Sequence, residues 1–163
     1  MTKKCKFKYA GAMALGMHDA LVEITGIIAG LAFSIDGRRI IIMTGIIAAI
    51  AAALSMAAAN YMAQRTERNP DAMTCAIYTG IIYITVSAAL LFPFCIISNR
   101  IWAMIAMAAV AVMIIFAFNW WIGKINSRPW GRAFVEMLTV CAGVVVASLL
   151  IGQLAKHFLG VAI

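Results

Sequence analysis

The sequence has little charge, and negative charge is especially scarce. Only six of its 163 residues are Asp or Glu, and charged residues of both signs make up 12%. Hydrophobic residues reach 65%, and the mean hydropathy is +1.00. A water-soluble domain of this size could not hide so much apolar surface, because folding leaves a large part of the chain exposed. The composition therefore excludes most cytosolic enzymes and disordered chains, and it predicts a single membrane domain over residues 1–163.

Cysteine is also scarce, and its spacing excludes common metal and disulfide frameworks. The four cysteines form no CxxC pair, and three of them lie inside apolar runs. This pattern is typical of small buried hydrophobic side chains. The sequence likewise contains no Ser-His-Asp order, phosphate-binding loop or haem motif. We therefore expect neither enzymatic activity nor a permanently bound cofactor.

Long apolar runs dominate what is present. Five segments approach or exceed the ~20 residues that a helix needs to cross a bilayer. No alternation with a period of two runs through them, which excludes barrel strands. Within lipid, a lone segment must satisfy its own backbone groups, and the helix does so. The sequence thus predicts an all-α integral membrane protein with five transmembrane helices, at about residues 12–35, 40–63, 72–97, 101–123 and 133–158.

Basic residues give the chain a net charge of +7 and predict its orientation. They form short clusters between the apolar runs, as in membrane proteins, so we expect no nucleic-acid partner. Nine lie on one predicted side: Lys3, Lys4, Lys6, Lys8, Arg65, Arg68, Lys124, Arg128 and Arg132. Four lie on the other: Arg38, Arg39, Arg100 and Lys156. The positive-inside rule then places the amino terminus in the cytoplasm, and five spans place the carboxyl terminus outside.

Three of the six acidic residues fall within apolar segments. A charge near the bilayer centre costs about 2.5–3.5 kcal/mol on insertion scales, so such residues usually have a function. Asp19 and Glu23 are four residues apart, which puts both carboxylates on one helix face. The alternative interpretation is a polar pair that only joins helices, although that role normally falls to Ser, Thr or Asn. Gly26 and Gly30 follow as a GxxxG pair, which predicts a close contact with another helix.

The second segment contributes Met56 and Asn60, again four residues apart. At 1.5 Å per residue, Met56 and Asp19 each lie about 10 Å from the cytoplasmic ends of their antiparallel helices. Carboxylate oxygen, thioether sulfur and amide oxygen together suit a borderline divalent transition metal better than magnesium or calcium. Apolar packing is the alternative for Met56, since the chain has 11 methionines.

Two further residues are possible accessories to this site. His18 adjoins Asp19 but points about 100° away around the helix. Its alternative roles are a metal ligand, a proton relay, or a hydrogen-bonded residue that takes no part in the site. Glu136 follows Arg132 near the start of the fifth helix. Two interpretations are open: the helix dipole stabilises the carboxylate of Glu136 there, or the carboxylate attracts cations.

Two stretches resemble motifs of the vacuolar iron transporter family. His18–Gly30 (HDALVEITGIIAG) resembles the first-helix motif, and Leu54–Tyr61 (LSMAAANY) resembles the second. The resemblance implies a five-helix protomer in a homodimer, with the transport path between the two copies and the Gly26–Gly30 contact between protomers. It also implies export of ferrous iron, and often manganese, in exchange for protons. Asp19, Glu23 and Met56 would line the path.

The chain departs from the family at two places. The family usually has Glu where this chain has Asn60, which removes one carboxylate per protomer. Plant and fungal members insert a Glu-rich cytoplasmic metal-binding domain between helices two and three, where this chain has only residues 64–71. The resemblance therefore implies a compact bacterial or archaeal member in the plasma membrane.

The leading functional hypothesis is proton-coupled export of Fe²⁺, with Mn²⁺, Co²⁺ and Zn²⁺ as further candidate substrates. Metal binding needs deprotonated ligands, so metal ions and protons compete for one site. A passive cation channel and a non-transporting membrane scaffold are the alternatives. The expected partners are the lipid bilayer, a second copy of the chain, divalent metal ions and protons.

Overall fold

The computed structural model of the chain describes residues 9–34, 37–126 and 130–159. Within this part, five long helices follow one another: α1 (Ala10–Ser34), α2 (Arg38–Thr66), α3 (Ala72–Ile96), α4 (Arg100–Asn126) and α5 (Trp130–Leu159). All five are long and apolar enough to cross a membrane, which confirms the predicted number of spans. Predicted and observed bounds differ by at most three residues where both are described. The amino-terminal lysines and Arg128, which entered the orientation prediction, lie outside the described residues, as does the side chain of Lys156.

Hydrogen bonds between the helices show how α1, α2 and α3 run relative to one another. Ala12, near the start of α1, meets Thr79 of α3, and so does Asn60, near the end of α2. At the opposite end, Arg38 at the start of α2 meets Phe94 in the last turn of α3. Thus α1 runs parallel to α3, while α2 runs antiparallel to both. We refer to the end with Ala12, Asn60 and Thr79 as the amino-terminal end of the bundle.

Helix α1 is the centre of the bundle and contacts all four other helices. Half of the residues in its apolar stretch are buried, against 11% for α5. Its large buried side chains include Met17, Leu21 and Ile24. Residues on α1 are therefore held from several sides, whereas α5 presents most of its surface outward.

The start of α2 is bound to the end of α3 by Arg38. The arginine donates hydrogen bonds from Nε to the Phe94 carbonyl at 2.7 Å, from Nη1 to Ser98 Oγ at 3.1 Å, and from Nη2 to the Cys95 carbonyl. The last carbonyls of a helix have no partner within the helix, and a positive charge near them is favoured by the helix dipole. Arg38 therefore caps α3 from a neighbouring helix.

The turn between α2 and α3 is compact. The amide nitrogen of Asn69 donates to Gln64 Oε1 at 2.6 Å, and its amide oxygen accepts from the Asp71 backbone at 3.0 Å. Arg68 adopts a left-handed conformation with φ of 55°, which reverses the chain direction.

Candidate metal site

The acidic pair lies at the edge of the packed core. Asp19 and Glu23 are both partly exposed in the single chain. Their neighbours on α1, Ala20, Leu21 and Ile24, are all 0% exposed. The two carboxylates are close enough to interact electrostatically. Two like charges one helical turn apart create a negative potential that attracts cations.

Tyr83 of α3 joins this pair. Its side chain is 0% exposed, and its hydroxyl donates a hydrogen bond of 2.6 Å to Glu23 Oε2. A bond from a hydroxyl group to a carboxylate is among the stronger hydrogen bonds in proteins. Tyr83 fixes one oxygen of Glu23 and leaves the other oxygen to bind a second partner.

Sequence reasoning missed Tyr83, although the sequence contains a pattern that points to it. Cys75, Thr79, Tyr83 and Ser87 follow one another at intervals of four residues, and all four are buried. A spacing of four places side chains on one helix face. Because Thr79 reaches α1 at Ala12 and Tyr83 reaches it at Glu23, this polar stripe of α3 faces α1.

Asn60 lies deep against the same stripe. It is 6% exposed, and its amide nitrogen donates to Thr79 Oγ1 at 2.6 Å and to the Cys75 carbonyl at 3.4 Å. Both protons of the amide group are thereby used. Only its amide oxygen remains to act as a metal ligand, since a metal ion binds oxygen and not the protonated nitrogen.

Met56 lies at the height of the acidic pair. It is half-buried and packs against the hydrophobic core. The next residue, Ala57, faces Gly80, and a Cβ built on that glycine would lie 3.3 Å from the Ala57 Cβ. Gly80 stands between Thr79 and Tyr83 in the stripe. The thioether is therefore level with the part of α3 that carries the bond to Glu23.

His18 and Glu136 are placed elsewhere. The His18 ring packs edge-on against Phe118 of α4, with 6.1 Å between ring centroids. Its Nε2 atom is buried and has no hydrogen-bond partner among the residues the structure describes. Glu136 is exposed on α5. Thus His18 packs toward α4, whereas Glu23 is bonded to α3.

Gly26 and Gly30 lie against α5 of the same chain, whereas the resemblance placed their contact between protomers. A Cβ built on Gly26 would lie 2.9 Å from Val144 Cγ1, and one built on Gly30 would lie 3.4 Å from the Ser148 carbonyl oxygen. A Cβ on Gly152 would in turn lie 3.0 Å from the Gly30 carbonyl oxygen. The small residues therefore permit a close crossing of α1 and α5 within one protomer.

The candidate site combines few residues of the usual metal-binding types. Among residues 9–34, 37–126 and 130–159, no three His, Cys, Asp or Glu side chains are grouped so that they could hold a metal ion. The structure brings together the two carboxylates and Tyr83, while Met56 packs against the hydrophobic core on α2.

Comparison with known proteins relates this part of the chain to one family. No curated protein matches the chain. Residues 10–72 match the sequence model of the VIT family, and this range comprises α1, α2 and the turn after them. The acidic pair, Met56 and Asn60 all fall within the match, whereas Tyr83 falls beyond it. Over α1 and α2, the chain is therefore similar to the VIT family.

Proposed function

We propose that this protein exports divalent transition metal ions, above all Fe²⁺, from the cytosol across the plasma membrane in exchange for protons. The observation that carries the proposal is the acidic pair of Asp19 and Glu23 on a membrane-spanning helix, with Glu23 bonded to the buried Tyr83. The similarity of residues 10–72 to the VIT family supports membrane transport of metal ions.

The ligand types favour a transition metal. Mg²⁺ and Ca²⁺ bind shells made of oxygen alone, whereas a thioether is a soft ligand. Met56 near the two carboxylates therefore favours transition-metal ions, with Fe²⁺ as the leading substrate and Mn²⁺, Co²⁺ and Zn²⁺ as further candidates. Asn60 adds at most its amide oxygen.

Exchange with protons follows from the same ligands. A carboxylate binds a metal ion only when it is deprotonated, so an arriving metal ion displaces protons. Protons that enter from the outside would in turn release the metal ion. The two carboxylates can thus carry either metal or protons, which is the requirement for antiport.

A second copy of the chain would complete the site. Asp19 and Glu23 remain partly exposed in one protomer, and a carboxylate that faces lipid is unfavourable. Symmetric pairing of this face would put two acidic pairs opposite each other and shield them from lipid. We therefore propose a homodimer in a bacterial or archaeal plasma membrane, with the amino terminus in the cytoplasm.

A membrane scaffold is the second candidate function. The bonds from Tyr83 to Glu23 and from Asn60 to Thr79 both join different helices, as polar residues that stabilise a bundle do. A scaffold would need no metal. Direct measurement of metal flux therefore separates the two functions.

The test uses purified protein in liposomes that contain a pH-sensitive dye. We expect wild-type protein to move Fe²⁺ and Mn²⁺ with an opposite movement of protons, and Asp19→Asn to lose both fluxes together. Metal flux that is independent of the pH gradient would instead indicate a passive channel. Absence of flux for all four metals would favour the scaffold, and full activity of Asp19→Asn would remove the site from the transport path.

A further inference from the structure

One buried hydroxyl group connects three helices at the amino-terminal end of the bundle. Thr79 of α3 is 0% exposed and accepts the 2.6 Å bond from Asn60 of α2. Its Oγ1 lies 3.0 Å from the carbonyl of Ala12 on α1 and 3.0 Å from that of Cys75 on its own helix. A hydroxyl has one proton, which it shares between these two acceptors. Asn60, Thr79 and Ala12 thus form a chain of contacts across α2, α3 and α1.

The backbones of α1 and α3 also approach very closely here. A Cβ built on Gly16 would lie 2.3 Å from the Thr79 carbonyl oxygen and 3.2 Å from the Thr79 Cα. No side chain fits in that gap, so α1 and α3 can keep this spacing only with glycine at position 16. Ala12 and Gly16 are one helical turn apart, and both rest on Thr79.

This contact determines where the acidic pair lies. An α-helix is stiff over two turns, so the position of Gly16 sets the positions of Asp19 and Glu23 further along α1. Tyr83, which bonds Glu23, lies one turn beyond Thr79 on α3. A shift of α1 at Thr79 would therefore displace Glu23 from Tyr83.

We propose that Asn60 and Thr79 are a positioning pair, which holds α1 in register with α3 and so presents Asp19 and Glu23 to the metal ion. In this arrangement Asn60 acts through its donor nitrogen, and it is not itself a ligand. The proposal rests on the function proposed above, because it assigns a role to residues next to that site.

The first test compares two threonines of α3. Thr79→Val keeps the side-chain shape but removes the hydroxyl, and Thr79→Ser keeps the hydroxyl. Thr85→Val is the matched control, because Thr85 is exposed and its hydroxyl bonds only to Ile81 of its own helix. We expect Thr79→Val to raise the dissociation constant for Mn²⁺ about three- to tenfold, the effect of one interhelical hydrogen bond. Thr79→Ser and Thr85→Val should bind as wild type does.

A double-mutant cycle separates positioning from ligation. Asn60→Ala should weaken Mn²⁺ binding as much as Thr79→Val does, and the double variant should be no weaker than either single one. Additive losses would show that Asn60 acts independently of Thr79 and would overturn the proposal. Binding by Thr79→Val that equals binding by Thr85→Val would also overturn it.

A glycine pair on α1 gives a test that does not depend on Thr79 variants folding. Gly16→Ala forces α1 away from Thr79, whereas Gly11→Ala is its control because a Cβ there meets no atom within 4 Å. We expect faster hydrogen–deuterium exchange in the first turns of α1, without metal, for Gly16→Ala and Thr79→Val only. Unchanged exchange in both variants would overturn the proposal. If wild-type protein binds no Mn²⁺ while exchange changes as expected, the proposed function fails and the contact between α1 and α3 stands.

Discussion

Tyr83 on α3 and Glu23 on α1, which lie 60 residues apart in the sequence, meet through a hydrogen bond of 2.6 Å. This bond connects the part of the chain that matches the VIT family to a helix outside the matched residues. The polar stripe of α3 therefore belongs to the candidate site as much as the family motifs of α1 and α2 do.

Removal of the Tyr83 hydroxyl should weaken metal binding. In Tyr83→Phe, Glu23 loses the donor that orients it, and we expect the dissociation constant for Mn²⁺ to rise about three- to tenfold. Tyr78→Phe is the control, because Tyr78 is exposed and stacks on Tyr9 through its ring. Calorimetry on detergent-solubilised protein measures both. Equal affinities for the two variants would mean that Tyr83 only fills space.

Metal binding should weaken as pH falls, because protons compete for the carboxylates. Glu23→Gln removes one titratable ligand and keeps the size of the side chain. We expect the metal affinity of the variant to depend less steeply on pH, because one of the ligands for which protons compete is gone. Mn²⁺ titrations across a pH series, with proton release followed by a dye, measure the difference. An unchanged slope would show that Glu23 does not exchange protons with the metal.

Met56→Leu should change the choice of metal. Leucine keeps the volume and the apolar character but lacks the sulfur atom, which is a soft ligand. We expect Fe²⁺ flux to fall more than Mn²⁺ flux. Met62→Leu is the matched control on α2, since Met62 is 62% exposed. An equal loss for both metals would assign Met56 to packing.

Glu136→Gln distinguishes the two interpretations of that residue. Because Glu136 is exposed on α5 and takes no part in the bond between Glu23 and Tyr83, we expect transport at saturating metal to be unchanged. If Glu136 attracts cations, flux at low metal concentration should fall, and added salt should remove the difference from wild type. If the helix dipole alone explains it, flux should be unchanged at every metal concentration.

Arg38→Gln should destabilise the protein without changing the candidate metal site. The charged cap on Phe94 and Cys95 is lost, at a cost of about 1–2 kcal/mol. Arg39→Gln is the control, because it removes the same charge from the next, exposed position. Thermal unfolding in detergent should show a lower midpoint for Arg38→Gln than for Arg39→Gln. Similar midpoints would mean that the cap adds little.

The number and extent of the helices could be predicted from the sequence, because apolar length alone decides whether a segment can span a bilayer. The acidic pair also stood out, since charge is rare in such segments. How helices pair is a different problem. The GxxxG motif predicts close packing but does not indicate which helix is the partner. In the structure, Gly26 packs against α5 of the same chain.

The hydrogen-bond partners of the polar side chains could not be predicted from the sequence either. The spacing of Asn60 and Met56 suggested one shared site, yet the Asn60 nitrogen bonds Thr79. Which residue Asn60 meets depends on which face of α2 packs against α3. A helix that is hydrophobic all round has no periodic pattern from which that face could be predicted. A search for polar residues at intervals of four would have found the stripe with Thr79 and Tyr83.

The central position of α1 has a consequence for biosynthesis. The residues that surround this helix are translated after it: Tyr83 lies on α3, and Ser148 and Gly152 lie on α5. A nascent chain thus holds two carboxylates in the membrane before their neighbours have left the ribosome. Helices insert first and associate afterwards, so α1 is surrounded by lipid until the helices that contact it have been inserted. A chain cut short before α5 would leave Gly26 and Gly30 of α1 without the helix that packs against them.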